Sequence, residues 1–97
     1  MPHEDNEDNA MQTVKIIGAA IRFHRRKAGL TQAGLARLSG VGKASVFDVE
    51  KGKESIQMDT LLKILSVLNI ELDIKSPLMV EFLKTTGPQP SNNKEPS

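Results

Sequence analysis

The side chains with the clearest potential for chemistry lie in a basic block in the middle of the chain. Residues 15–53 carry nine Lys or Arg side chains against two acidic ones, Asp48 and Glu50, although all 97 residues together have a net charge of only +1. Such a block is suited to bind a polyanion, but a solvated helical surface can have the same composition. The residue types therefore indicate electrostatic binding without identifying the partner.

Catalytic and metal-binding chemistry has little support in this sequence. There is no cysteine, and the two histidines, His3 and His24, are too far apart in the sequence to suggest a shared metal site. No Ser, Asp or Glu is paired with a histidine in a pattern typical of nucleophilic catalysis. No apolar run approaches the roughly 20 residues of a membrane-spanning helix. We therefore expect no enzymatic activity, no metal, no cofactor and no membrane partner.

The basic block is predicted to lie on helices. Apolar residues recur at helical spacing in four segments, at about residues 12–28, 31–39, 43–50 and 58–68. Gly29 and Gly40 are placed to end the first two helices, and Thr31 is suited to cap the second. The apolar side chains predicted to face the core include Leu38, Phe47 and Leu62.

After the fourth helix, the apolar period changes to that of a strand. Ile70, Leu72 and Ile74 alternate with charged residues, which predicts a strand over residues 70–75 with one buried face. The chain has no second good strand candidate, so we expect this strand to pair with the same strand of a second copy across a two-fold axis. The alternative is a short extended tail packed on the helices.

A single folded domain is expected at residues 12–75. The two ends of the chain are polar or proline-rich and offer too little apolar surface to offset the entropy of ordering, whereas Ser76 as N-cap and Pro77 at the first helical position could start a short helix that Gly87 ends. We therefore expect a disordered acidic tail at residues 1–11, a short helix at 76–86 and a second disordered tail at 87–97.

Residues 31–50 have the features of two short helices joined by a tight turn. Ala36 provides a small side chain where the helices would approach closely, and Gly40 lies in the turn, where a positive φ costs least for glycine. The apolar positions that would hold the helices together are Leu35, Val41, Val46 and Val49. This pattern predicts a helix-turn-helix, with an ordinary helical hairpin as the alternative. In this motif the amino end of the second helix enters the major groove of DNA, and that end carries Lys43, Ala44 and Ser45.

Residues 17–52 resemble the Cro/CI-type (XRE) helix-turn-helix family. The family pattern I-G-x-x-I-R, G-L-T-Q, L-A, G-V and E-x-G stands here at Ile17–Arg22, Gly29–Gln32, Leu35-Ala36, Gly40-Val41 and Glu50–Gly52. Within the family, a domain followed at once by one short strand resembles the HipB antitoxins of HipA–HipB toxin–antitoxin modules. The resemblance implies an all-α, lambda-repressor-like domain with one short C-terminal strand that pairs across a homodimer.

The resemblance also implies a function and partners. The chain would be a sequence-specific transcriptional repressor that binds a palindromic operator in double-stranded DNA as a homodimer. It would act as the antitoxin of a type II toxin–antitoxin module, autoregulating its operon and binding a HipA-like kinase toxin, in the cytoplasm and in association with the nucleoid. The alternatives are a stand-alone phage-repressor-type regulator without a toxin, and an interaction adaptor that no longer binds DNA.

Roles for individual side chains follow from the same resemblance. The implied DNA-binding residues are Arg22, Thr31, Gln32, Lys43, Ala44 and Ser45. Arg22 would contact phosphate, Gln32 would bind a phosphate and brace a recognition-helix side chain, and Ala44 would contact a thymine methyl group. Arg25 and Glu50 match a structural ion pair between the first and third helices.

Two glycines depart from the family pattern. Gly42 stands where the family usually has a Ser or Thr that caps the recognition helix, so the usual hydroxyl contact to phosphate is missing. Gly34 stands inside the second helix, at a cost of about 1 kcal/mol relative to a good helix former.

Overall fold

The computed structural model describes residues 6–85, which contain five helices. They are α1 (Asn6–Lys27), α2 (Gln32–Ser39), α3 (Lys43–Glu50), α4 (Met58–Val67) and α5 (Met79–Thr85). Within this range, no helix combines the length and the apolar character that crossing a membrane requires.

The core lies among α1, α2, α3 and α4. One helix face from each contributes apolar side chains that are excluded from water, and these are Ile21, Leu35, Ala36, Val46, Val49, Leu61, Ile64 and Leu65. α2 packs against both α3 and α4, while α1 packs against α3. As a result, α1 and α2 hold α3 through its buried residues, and the remaining face of α3 is available to solvent.

The ends of α1 and α2 are set by glycines with left-handed backbone conformations. Gly29 and Gly40 each have a φ of 74°. Beyond each glycine the chain turns back, so that Leu30 N–H donates to the carbonyl of Arg25 and Val41 N–H donates to that of Ala36, both at 3.0 Å. The predicted ends of the first two helices are therefore confirmed. The left-handed conformation of Gly40 also produces the short turn between α2 and α3.

The first helix begins earlier than the sequence predicts. α1 starts at Asn6, so it includes part of the 1–11 segment that was expected to be disordered. Residues 10–12 are Ala, Met and Gln, which are good helix formers. The part of α1 that packs on the core can therefore extend through them towards the amino end. The first five residues of that segment, and the tail predicted at 87–97, lie outside the described residues.

The predicted strand at 70–75 is not formed within one chain. Residues 71–76 adopt neither helix nor strand, and among residues 6–85 no backbone hydrogen bond involves residues 71–75. Ile70 packs against the core, but Leu72 and Ile74 are exposed. The reason is that the described residues include no second extended segment with which this one could form a ladder. α5 follows, within the range expected for a short helix, and buries no residue.

Three apolar side chains predicted to face the core are exposed instead: Leu38, Phe47 and Leu62. Each stands next to a buried residue of the same helix, namely Ser39, Val46 and Leu61, and neighbours in a helix are about 100° apart around its axis. In an eight-residue helix such as α3, the burial of Val46 and Val49 leaves the adjacent Phe47 outside the core.

Candidate nucleic-acid interface

The turn between α2 and α3 presents the amino end of α3. Thr31 caps α2, since its Oγ1 accepts a hydrogen bond from Gly34 N–H at 2.9 Å. Gly42 caps α3 in an extended conformation without a side-chain bond, and a Cβ added there would meet no atom within 4 Å. The end of α3 is therefore open, and its first N–H groups are not covered by a capping side chain.

The first residues of α3 combine three different chemical groups on one accessible end. Lys43 and Ala44 are exposed, while Ser45 is half-buried. In the major groove, an ammonium group can donate to guanine O6 and N7, a methyl group can contact the methyl of thymine, and a hydroxyl can donate or accept. Val46 and Val49 anchor the helix from the opposite side, so these groups have a fixed direction.

The carboxylate of Glu50, at the end of α3, joins three helices, and its partner Arg25 adds the loop after α1. Arg25 of α1 donates from Nε to Oε2 at 2.6 Å and from Nη2 to Oε1 at 3.0 Å. The same guanidinium donates from Nη1 to the carbonyl of Leu30, in the loop after α1, at 2.9 Å. Gln32, the first residue of α2, donates from Nε2 to Glu50 Oε1 at 3.1 Å. The ion pair implied by the resemblance is present, and it fixes α3 relative to α1 and α2.

Both members of this pair are held in their charged forms. Burial alone would raise the pKa of Glu50, whose side chain is 3% exposed, but the hydrogen bonds from Arg25 and Gln32 and the positive charges of Arg25 and Arg22 outweigh it, so the pKa is lowered. The hydrogen bond to Glu50 raises the pKa of Arg25. Removing one partner would leave the charge of the other buried without a counter-charge, which is strongly destabilising.

A basic groove lies beside this network, between α1, α2 and α3. It has a volume of about 390 Å³, and Arg22, Arg26, Gln32, Phe47 and Lys51 line it together with the buried pair. Arg22, Arg26 and Lys51 are exposed, which leaves an excess of positive charge around the groove. Two of the predicted DNA-binding residues, Arg22 and Gln32, therefore lie close together.

The sequence-based prediction did not place two residues of this region in the site. Gly18 allows α1 to approach the end of α3, because a Cβ at this position would overlap the backbone oxygen of Val49. Its signal was the glycine of the I-G pair in the family pattern. Phe47 was assigned to the core, whereas its ring borders the groove and lies 5.2 Å from the ammonium group of Lys51.

The predicted strand residues belong to a different part of the surface. Ile70 and Leu72 line a second groove with Leu62 and Leu65 of α4.

Among residues 6–85, no group of three or more His, Asp or Glu side chains could hold a metal ion.

Comparison with known proteins places this geometry in a family. A family model described as helix-turn-helix matches residues 21–75, more than half of the chain. The chain is 36% identical over 67 residues to "Uncharacterized HTH-type transcriptional regulator y4mF" of Sinorhizobium fredii, an alignment that covers 69% of this chain and 88% of that protein. It is 40% identical over 57 residues to an "Uncharacterized HTH-type transcriptional regulator" of Haemophilus influenzae, covering 59% of this chain and 57% of that protein. The chain therefore belongs to the Cro/CI-type (XRE) helix-turn-helix family of transcriptional regulators.

Proposed function

We propose that this chain is a sequence-specific DNA-binding transcriptional repressor. The observation that carries the proposal is the open amino end of α3, where Lys43 and Ala44 face solvent while the opposite side of the helix is anchored in the core. A helix held in this way can enter the major groove and present its side chains to base edges. Membership of a family of transcriptional regulators supports the same function.

Phosphate contacts on either side of the inserted helix would supply most of the affinity. Arg22, Arg26 and Lys51 line the basic groove, and Lys51 is the residue that caps the carboxyl end of α3. Gln32 has two N–H groups on Nε2, and one of them is donated to Glu50, so the second can be donated to a phosphate oxygen. The Thr31 hydroxyl accepts from Gly34 N–H and can donate its own proton in the same way. Such contacts position the protein and make binding dependent on salt.

The repressor acts as a homodimer in this proposal. Leu72 and Ile74 are exposed, and the backbone of residues 71–75 makes no hydrogen bond in the described part of the chain. Pairing of this segment with its counterpart in a second copy would satisfy those backbone groups and cover both side chains. A dimer with two recognition helices about one DNA turn, roughly 34 Å, apart would read a palindromic operator.

We further propose that the repressor is the antitoxin of a type II toxin–antitoxin module, autoregulating its operon and binding a HipA-like kinase toxin. The support is the resemblance to HipB antitoxins, in which a Cro/CI-type domain is followed at once by an alternating apolar segment such as 70–75. In this role the chain has no enzymatic activity, needs no cofactor and works in the cytoplasm on nucleoid DNA. The second candidate is a stand-alone phage-repressor-type regulator without a toxin, and it requires no more than the transcriptional regulation that the names of the two relatives state.

A gel-shift titration on the DNA upstream of the chain's own gene tests the repressor function. We expect a complex that survives an excess of unrelated competitor DNA and weakens as the salt concentration rises. Failure to form a complex that prefers the upstream DNA over a shuffled duplex of equal length would contradict the proposal.

Affinity purification separates the two candidate functions. If the chain is an antitoxin, a tagged copy expressed with its neighbouring genes should retain a kinase-like protein encoded beside it. If it is a stand-alone regulator, the purified protein should bind the same operator while no neighbouring gene product is retained.

A further inference from the structure

The exposed face of α3 carries an apolar strip. Val46 and Val49 point into the core, and the residues on the opposite side of the helix are Lys43, Ala44, Phe47, Asp48 and Lys51. Ala44 and Phe47 are three residues apart, so their Cβ atoms are neighbours on the helix surface, roughly 5–6 Å from each other. The methyl group of Ala44 and the ring of Phe47 are therefore neighbouring apolar groups on the exposed face of α3, from its first turn to its middle.

The surroundings of this strip favour a polyanion over an apolar protein segment. Phe47 is 45% exposed, and the ammonium group of Lys51 lies 5.2 Å from the centre of its ring. Arg22 and Arg26 line the same groove as the ring. The acidic side chain on this face, Asp48, is paired with Lys53 at 3.4 Å. An apolar ring inside a rim of cations matches a duplex, whose phosphates flank base edges that include apolar groups.

We propose that Phe47, with Ala44, reads the C5 methyl group of a pyrimidine in the major groove. This inference rests on the proposed DNA-binding function and assigns part of its sequence specificity. The C5 methyl of thymine is the apolar group that a base pair presents in the major groove, and Ala and Phe are side chains that contact it. The same methyl group occurs on 5-methylcytosine. Lys43 reads hydrogen-bond acceptors, so Phe47 adds a second kind of recognition that the ammonium group cannot provide.

The test removes single methyl groups from bound DNA. Duplexes that the full chain binds best are first selected from a random pool, and each thymine of the selected site is then replaced by deoxyuridine, which lacks only the methyl group. We expect at least one replacement to weaken binding of the unaltered protein about three- to fivefold, the effect of exposing one buried methyl group. The same replacement should leave the affinity of Phe47→Ala unchanged, while Phe47→Leu keeps the sensitivity because it retains an apolar tip.

A matched control is available on α1. Phe23 is 58% exposed, and the ammonium group of Lys27, four residues later, lies 5.6 Å from its ring, as Lys51 does for Phe47. Phe23→Ala should keep the full response to deoxyuridine. Thermal melting of all variants establishes that they are folded before affinities are compared.

The outcomes separate this inference from the function on which it rests. If selection yields no preferred sequence, the proposed repressor function fails and the inference fails with it. If a sequence is selected but neither a deoxyuridine replacement weakens binding nor a 5-methylcytosine replacement strengthens it, or if Phe47→Ala responds as strongly as the unaltered protein, the assignment of Phe47 is overturned while DNA binding stands. Replacing cytosines of the site by 5-methylcytosine identifies the source of the methyl group, because tighter binding at one position would assign the contact to a methylated cytosine.

Discussion

At the scale of single residues, the position of α3 depends on the buried carboxylate of Glu50. It accepts hydrogen bonds from Arg25 of α1 and Gln32 of α2, so three helices meet at one charged group. None of these three residues carries the base-reading chemistry. In the proposed function, all three fix the angle at which Lys43 and Ala44 leave the protein, and Gln32 also donates to a phosphate.

Acidification should destabilise the protein as Glu50 becomes protonated. The folded-state pKa of Glu50 lies below its ordinary value of 4.5, so the unfolded chain takes up this proton first as the pH falls. The stability that Glu50 contributes is therefore complete above pH 4.5 and is lost as the pH falls through the lowered, folded-state pKa. Urea unfolding from neutral to acidic pH measures this loss.

The variant Glu50→Gln should be less stable at neutral pH by about 3–5 kcal/mol, because it leaves Arg25 buried without a charged partner. Its stability should also vary less with pH in the same range. Asp48→Asn is the matched control, since the Asp48–Lys53 pair is solvent-exposed and its loss should cost at most about 1 kcal/mol. Identical pH profiles for the unaltered protein and Glu50→Gln would contradict this account.

Gly18→Ala should destabilise the protein even though alanine is the better helix former. The added Cβ would overlap the backbone oxygen of Val49, and overpacking of this kind costs about 1–3 kcal/mol. Gly42→Ser is the control, because its side chain enters open space at the cap of α3 and should change stability by only a few tenths of a kcal/mol. Urea unfolding measures the free energy of unfolding of both variants. A Gly18→Ala protein as stable as the original would contradict the close approach of position 18 to the backbone oxygen of Val49.

Side chains at the two kinds of DNA contact should behave differently on substitution. Lys43→Ala should reduce the preference for the selected site over other sequences by about 1–3 kcal/mol, because it removes a contact to base edges. Arg22→Ala should weaken binding to all sequences alike and reduce the salt dependence, because it removes a phosphate contact. Titrations on specific and shuffled duplexes at several salt concentrations separate the two effects, and a uniform loss for Lys43→Ala would contradict its role.

At the scale of elements, the sequence was sufficient where one residue determines a local conformation. Gly29 and Gly40 end their helices because a positive φ is required there, and Thr31 caps α2 through its own hydroxyl. The sequence was insufficient where adjacent apolar residues compete for the same core. Phe47 and Val46 are both apolar, and only the packing of α1 and α2 around α3 decides which of them is buried.

The segment 70–75 shows a different limit of sequence analysis. Its alternating pattern describes a face that could be covered, but a strand forms only when a second strand supplies hydrogen bonds. Leu72 is 48% and Ile74 73% exposed in the single chain. The pattern thus predicts a property of an assembly, which one copy of the chain cannot display.

Leu72→Asp should therefore convert a dimer into a folded monomer. The charge would be buried at the proposed strand pair, whereas in the single chain it stays in solvent and leaves the helical core intact. Sedimentation measures the mass, and circular dichroism measures the helix content. Ile16→Asp, at an exposed apolar position of α1, is the control and should remain dimeric. A Leu72→Asp protein that still sediments as a dimer would contradict pairing through this segment.

At the scale of the whole molecule, charge is distributed so that one region attracts a polyanion. The net charge of the chain is +1, yet Arg22, Arg26, Lys43 and Lys51 lie around the groove and the open end of α3. The apolar surface of Leu62 and Leu72 lies beside a different groove. In the proposed function, DNA binding and self-association would therefore use separate surfaces, as a dimer that binds two half-sites requires.

An NMR titration of the isotopically labelled full chain with its selected duplex shows which residues contact the DNA. If the amino end of α3 enters the major groove, the largest changes in backbone amide shifts should occur at residues 42–48, with further changes at Arg22 and Gln32. Changes confined to α4, α5 and the segment between them, with residues 42–48 unaffected, would contradict the account.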